Sequence, residues 1–244
     1  MFSFFKKKDT PLKNTYESIM VDMHSHVLPG IDDGAQNPEE SIILIKKMME
    51  LGIKKIIATP HVMADYYKNT AETIGGALKI LKTELEKQNI EIEVEAAAEH
   101  YFDETFENRV NNHKLMTMGD NYALFEFSFI SQPPNVIEVI QRMKDLGYKP
   151  ILAHPERYPY LDIEQLRNLR DWGCTLQVNT ISLTGYYGKD AKKMAESLVD
   201  NELVDFISSD MHHLRHAQAF KSALRLPYVE RLLKDYPLKN IMLK

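Results

Sequence analysis

Short apolar runs alternate along this chain with longer stretches whose apolar positions recur every three or four residues. Seven runs read as strands, at 19–23, 55–59, 92–98, 122–125, 150–153, 174–178 and 204–208. Between them lie helical patterns. Asn37-Pro38-Glu39-Glu40 opens one, with a capping side chain, a proline in the first turn and acids near the positive helix end. Ile42, Ile43, Ile45, Met48 and Met49 continue it, and Gly52 ends it. Others are predicted over 71–87, where Gly75-Gly76 weakens the pattern, and from Pro134 to near Gly147. Three more cover 163–172, 190–200 and 217–224. Strands alternating with helices imply right-handed crossovers and a parallel sheet. Seven such units without a break predict an α/β barrel, closed or nearly so, with an open doubly wound sheet as the alternative.

Composition narrows the class. The chain has 244 residues, 44% of them hydrophobic and 27% charged, as expected of one large globular domain. There is no repeat, low-complexity tract or Gly/Ser linker. Residues 1–18 read as a flexible, polar lead-in and 19–244 as a single catalytic domain. No apolar stretch approaches the ~20 residues of a membrane span, and Met1 to Lys8 lacks the features of a secretory signal. The single Cys174 excludes an intramolecular disulfide and suits a reducing cytoplasm. A net charge of −5 argues against broad nucleic-acid binding, although bound cations would let such a protein receive an anionic substrate.

The candidate chemistry sits at the strand ends. His24 and His26, His61, Glu99, Glu126, His154, and Asp210 with His212 each follow one of six predicted strands. In a parallel α/β barrel the C-terminal strand ends share one face, so these groups would converge there. His-x-His on an extended segment puts both imidazoles on one side. Singly, each histidine reads as an ordinary hydrogen-bonded residue; jointly, their recurrence at equivalent positions points to cations. A mixed nitrogen and oxygen set suits manganese, iron or zinc. Cys174 lies in a strand pattern with no arginine in the loop beyond, so it reads as a small core residue and not as a nucleophile. Gly-rich phosphate loops are absent.

Six motifs run in order: Asp22-Met23-His24-Ser25-His26, Asp32-Asp33-Gly34, Ala58-Thr59-Pro60-His61, Ala123-Leu124-Phe125-Glu126-Phe127, Ala153-His154-Pro155-Glu156-Arg157 and Ser209-Asp210-Met211-His212. Together they resemble the polymerase and histidinol phosphatase (PHP) superfamily. Within it, they are most similar to the metal-dependent protein-tyrosine phosphatases of bacterial capsule and exopolysaccharide operons. The resemblance covers about 19–225 and implies a distorted (β/α)7 TIM-like barrel holding three divalent ions, manganese foremost, with iron or zinc as alternatives. It implies His24, His26, Glu99 and Asp210 around the first ion, and Glu99 bridging to a second with Glu126 and His154. Asp33, His61 and His212 would hold the third. His100 rivals Glu99, and Asp32 rivals Asp33.

Three divalent ions against four carboxylates leave a charge on the order of +2, suited to a phosphate ester. Arg157 and Asp210 are the implied catalytic residues, Arg157 as a forked donor to phosphate oxygens. Arg215 is a weaker second donor, and the loop 184–188 with Tyr186 and Tyr187 borders the pocket or is a mobile surface loop. The implied reaction is in-line attack on phosphorus by a metal-bound hydroxide, with no phosphoenzyme. The implied substrate is phosphotyrosine on a cytoplasmic protein, such as the tyrosine autokinase of polysaccharide export. Histidinol phosphate or another small phosphoester, a nucleic-acid exonuclease and an inactive binding module are the alternatives.

Overall fold

The computed structural model describes residues 12–244. Helix α1 spans Pro38–Met49, and the Asn37 side chain accepts a hydrogen bond from the Glu40 amide, as the opening motif predicts. Helix α2 spans Ala71–Lys87. It runs through both glycines because Thr70 and Thr73 form a reciprocal cap and Ile74, Ala77, Leu81 and Leu85 are buried along one face. Helices α4 (Val136–Asp145), α5 (Ile163–Asp171), α6 (Lys189–Asp200) and α7 (Leu214–Ala223) fall where patterns predict them, with shifted ends. α4 begins two residues late, since Asn135 adopts a left-handed conformation. α7 begins three early, because the His213 side chain caps it. The short α3 (Phe106–Asn111) and α8 (Pro227–Lys234) were not legible.

Among the described residues nine strands form, seven on the predicted runs and two, β3 and β5, just beyond them: β1 Val21–Asp22, β2 Lys55–Ala58, β3 His61–Val62, β4 Glu93–Ala96, β5 Glu99–Tyr101, β6 Tyr122–Glu126, β7 Lys149–Ala153, β8 Thr175–Asn179 and β9 Phe206–Ser208. All ladder pairings are parallel. They form two sheets, β1-β2-β4 and β3-β5-β6-β7-β8-β9, and not the single closed ring predicted. Two runs are split. Pro60 has no amide to give the ladder between β2 and β3, and 97–98 separate β4 from β5. Backbone bonds bridge the splits, from Ala97 to the Ala58 carbonyl and from Glu99 to that of Pro60. At the other edge no ladder joins β1 to β9. The segments after them meet through Asp210 donating to His24 and His26 donating to Met211.

Strand residues alternate between two apolar clusters. On β6, Tyr122 and Leu124 enter an inner cluster with Val21, Ile57, Ile151 and Phe206, whereas Ala123 and Phe125 join the larger cluster beneath the helices. Glu126 continues the inner phase of Leu124, as Glu99 continues that of Ala97. Residues 1–11 of the predicted lead-in lie outside the described residues. From 12 onward the chain is packed: the Tyr16 ring lies 3.9 Å from that of Phe220, stacked within 6°, and its hydroxyl donates to the Phe220 carbonyl. Among the described residues no helix is long and apolar enough to cross a membrane.

Candidate metal centre

The six strand ends deliver their side chains to one cavity of about 280 Å³, lined by Asp33, His61, Glu99, Glu126, His154, Asp210 and His212 among others. His24 and His26 close its floor. His24 Nε2 lies 3.2 Å from His26 Nε2. Both are 3.5 Å from Asp210 Oδ1, and they are 3.3 and 3.4 Å from Glu99 Oε2. The other oxygen of Glu99 is 3.0 Å from His154 Nε2, and Glu126 Oε2 is 3.8 Å from the same nitrogen. Asp33 Oδ1 sits 3.4 Å from His61 Nε2 and 3.5 Å from His212 Nε2. The structure therefore brings all nine sequence-predicted ligands together. His61 departs from the simple grouping: its Nδ1 faces Glu99 and Glu126, at 3.1 and 3.0 Å, while its Nε2 faces Asp33.

These donors fit cations. His61 Nδ1 and Glu99 Oε2 are buried and close, yet neither has a hydrogen-bond partner. Unbridged, such atoms are costly; a shared ion satisfies both. Metal bonds of about 2.0–2.2 Å give donor–donor edges of roughly 3.4 Å around a four-coordinate ion, the spacing found between His24 and His26 and from each of them to Glu99 and to Asp210.

Three of the imidazoles are aimed from behind. His24 Nδ1 donates to Gln177 Oε1, and His26 Nδ1 donates to Asp32 Oδ2 at 2.7 Å, which leaves both Nε2 lone pairs facing the cluster. His212 Nδ1 donates to the Asp210 carbonyl in the same manner. Asp32 thus acts behind His26, and Asp33 is the one in the cavity. His154 and Asp210 adopt left-handed backbone conformations, φ 35° and 50°, that turn their side chains inward. His100 faces elsewhere, its Nε2 accepting the Met116 amide, and burial pushes its pKa down to about 3.

Strand β8, without a predicted ligand, supplies orienting amides that sequence reasoning missed. The Gln177 amide nitrogen donates to Asn179 Oδ1 and Ser208 Oγ, and Asn179 Nδ2 donates to Asp210 Oδ2 at 2.6 Å. The available signal was polar Gln177 and Asn179 alternating with apolar neighbours on a buried strand. Arg157 reaches Asp210 Oδ2 at 3.4 Å, and Tyr187 lines the same cavity. Arg215 lines a separate neighbouring groove with Ile43, Leu44 and Leu214. Cys174 is buried just before β8, beside a separate groove with Arg170 and Asp205, and burial pushes its thiol pKa up, which leaves no thiolate for catalysis.

The electrostatics of the cluster are set by crowding. Burial alone would raise the pKa of Glu99 and Asp210, but the surrounding imidazoles, His24 first, hold both well below the usual carboxylate range. Burial would lower His26, and Asp32 instead lifts it to about 10. His61 is raised by Glu99 and Glu126 despite its burial. Without ions, the raised pKa values of His24, His26 and His61 favour protons on those rings beside the buried carboxylates.

Parallel α/β layers with imidazoles and carboxylates converging at one end define a metal-binding hydrolase class. The chain belongs to the CpsB/CapC family of capsular polysaccharide synthesis, whose model matches residues 20–242. It is 32% identical over 199 residues to the tyrosine-protein phosphatase YwqE of Bacillus subtilis, covering 80% of this chain and 78% of that one. Tyrosine-protein phosphatase CpsB of Streptococcus agalactiae is 29% identical over 203 residues, covering 80% of this chain and 84% of its own. A solved structure from work on YwqE of B. subtilis and CpsB of Streptococcus pneumoniae, unique metal-dependent tyrosine phosphatases, superposes with a TM-score of 0.77. It is 30% identical, covering 90% of this chain and 96% of that one.

Proposed function

We propose that this chain is a metal-dependent phosphatase that removes phosphate from tyrosine in a cytoplasmic protein substrate, a tyrosine autokinase of polysaccharide export. The observation that carries the reading is the convergence of nine donor side chains beside a forked cation, Arg157, in one open cavity. Its relatives are tyrosine-protein phosphatases, and this reading takes the three-stranded and six-stranded sheets as parts of one distorted seven-unit barrel. Three divalent ions, manganese foremost, are assigned to His24, His26, Glu99 and Asp210; to Glu99, Glu126 and His154; and to Asp33, His61 and His212. When bound, such ions neutralise phosphate charge and lower the pKa of water.

The side chains divide the remaining work. Arg157 presents parallel N–H groups to non-bridging phosphate oxygens. Asp210 holds Arg157 on one side and the His24–His26 pair on the other, which couples the phosphate donor to the ion floor. Gln177, Asp32 and Asn179 fix the orientation of groups that touch the ions. A tyrosyl leaving group has a pKa of ~10, so it departs with little protonation.

The test is phosphate release from a phosphotyrosine peptide and from histidinol phosphate, with manganese and after chelation. Manganese-dependent turnover of the peptide supports the reading. Turnover confined to histidinol phosphate would reassign the substrate, and no turnover by ion-loaded protein would make this a binding module.

A further inference from the structure

Besides its carboxylates, imidazoles and Arg157, the cavity is lined by two phenyl rings, Phe129 and Tyr187. The Arg157 guanidinium carbon lies 4.4 Å from the Phe129 centroid and 4.1 Å from that of Tyr187, so the cation is held between them. Both rings are braced. Tyr187 donates to Asp210 Oδ2 and meets Tyr186 edge-on at 5.1 Å. Phe129 stacks on Tyr158 at 5.7 Å and tilts over His154 at the same distance. Phe129 is nevertheless 42% exposed, and its neighbour Ile130 is 90% exposed. Apolar surface is therefore displayed at the rim of an otherwise charged site.

We propose that Phe129 and Tyr187, besides clamping Arg157, form the apolar wall that receives the tyrosyl ring and makes the site prefer aryl over alkyl phosphate esters. The proposal rests on the phosphatase reading above. With phosphoryl oxygens on Arg157 and the ion floor, the first group beyond the ester oxygen meets the ring edges that Arg157 leaves uncovered at the rim. A phenyl group meets them in offset or edge-to-face contact, whereas a short alkyl chain leaves them wet. A cavity of about 280 Å³ admits one side chain and no folded segment, so selection falls on the group carrying the phosphate.

Calorimetry on manganese-loaded protein tests this with two phosphonates that cannot turn over, benzylphosphonate and propylphosphonate. Wild type is expected to bind the benzyl compound about tenfold more tightly. Phe129→Ala and Tyr187→Leu should weaken both ligands as Arg157 loosens, and shrink their ratio to about twofold; Phe129→Tyr should restore it. Tyr187→Phe, which keeps the ring and loses the bond to Asp210, should keep the ratio. Equal weakening of both phosphonates in Phe129→Ala and Tyr187→Leu, or an unchanged ratio, overturns the proposal and leaves the rings as mere supports of Arg157. Phosphotyrosine turnover by wild type, measured separately, decides the phosphatase reading.

Discussion

Two buried aspartates five residues apart, one at each end of β9, have opposite company. Asp205 receives both Arg170 Nε and Nη2, the Leu176 amide, and Lys239 Nζ at 2.7 Å. Asp210 is ringed by His24, His26 and His212 within 3.5 Å, with Arg157 and Asn179 beside them. Arginine and lysine bring fixed positive charge against Asp205. Imidazoles hold their charge only as exchangeable protons, so metal ions can take their place. One end of the strand is neutralised for good, the other provisionally. That matches the division in parallel α/β barrels between a stabilising N-terminal face and a working C-terminal face.

Exchanging the two acids breaks the comparison most sharply. Asp210→Asn should lower kcat/KM by about a thousandfold, the scale of losing a main electrostatic group in an active site. In the ion-free protein its melting temperature should hardly move. Asp205→Asn should keep activity per folded molecule yet cost about 3 kcal/mol, at the low end for breaking a buried pair because Arg170 and Lys239 regain water. For a chain of this size that is a fall in Tm of roughly 6–12 °C. Kinetics and thermal melts on both variants would check this; an inactive but fully stable Asp205→Asn would sink the assigned division.

Ion removal sharpens the same contrast. An ion at 100 times its Kd contributes about 2.7 kcal/mol to stability per site, so chelation should lower the wild-type Tm by roughly 5–10 °C for each ion lost and abolish activity. Asp210→Asn should lose most of that response and Asp205→Asn none of it. The pH dependence has a definite sign. His26 is raised to about 10, so at pH 7 the ion-free ring carries a proton that an incoming ion must displace. Ion affinity therefore rises with pH and falls on acidification. In the ion-free protein the raised pKa acts oppositely: its stabilisation is complete below the ring's unfolded value of ~6.5 and is lost as pH rises through about 10. Calorimetry in buffers of different ionisation enthalpy should detect protons released on manganese binding; none released would contradict the proton-balanced cluster.

How much of this was legible follows from where the signal is local. Candidate ligands at strand ends stand out because a polar residue closes an apolar run, and so the convergence of carboxylates and imidazoles from His24 to His212 has a local signal. Gln177 and Asn179 were not, since each looks like an ordinary strand residue until the strand is known to be buried on both faces. Asp32 and Asp33 are adjacent and chemically identical; only the loop geometry sends one behind His26 and the other into the cavity. The split of β2 from β3 was hinted at by Pro60, but the two-sheet pairing depends on long-range registry that no local pattern records. Tyr16 was read as part of a lead-in because its partner, Phe220, lies 204 residues away.

Glycines give the smallest and most local version of the comparison between working and supporting regions. At Gly34, beside Asp32 and Asp33, an added Cβ would lie 2.0 Å from the His26 carbonyl oxygen and 2.5 Å from its Cβ. Gly34→Ala must therefore shift the loop that aims His26, and activity should fall about 10–100-fold, the usual effect of disturbing groups behind metal ligands. Gly75 and Gly76 lie exposed within α2, and a Cβ at either meets nothing within 4 Å. Alanine there keeps the helical backbone while restricting the unfolded chain, so each change should stabilise by about 0.5–1 kcal/mol. A rise in Tm of roughly 1–4 °C per substitution, with kinetics unaltered, is the expected result. A fall instead would mean that α2 needs its glycines for a contact made by a bound partner, and would move this helix from the supporting to the working side of the molecule.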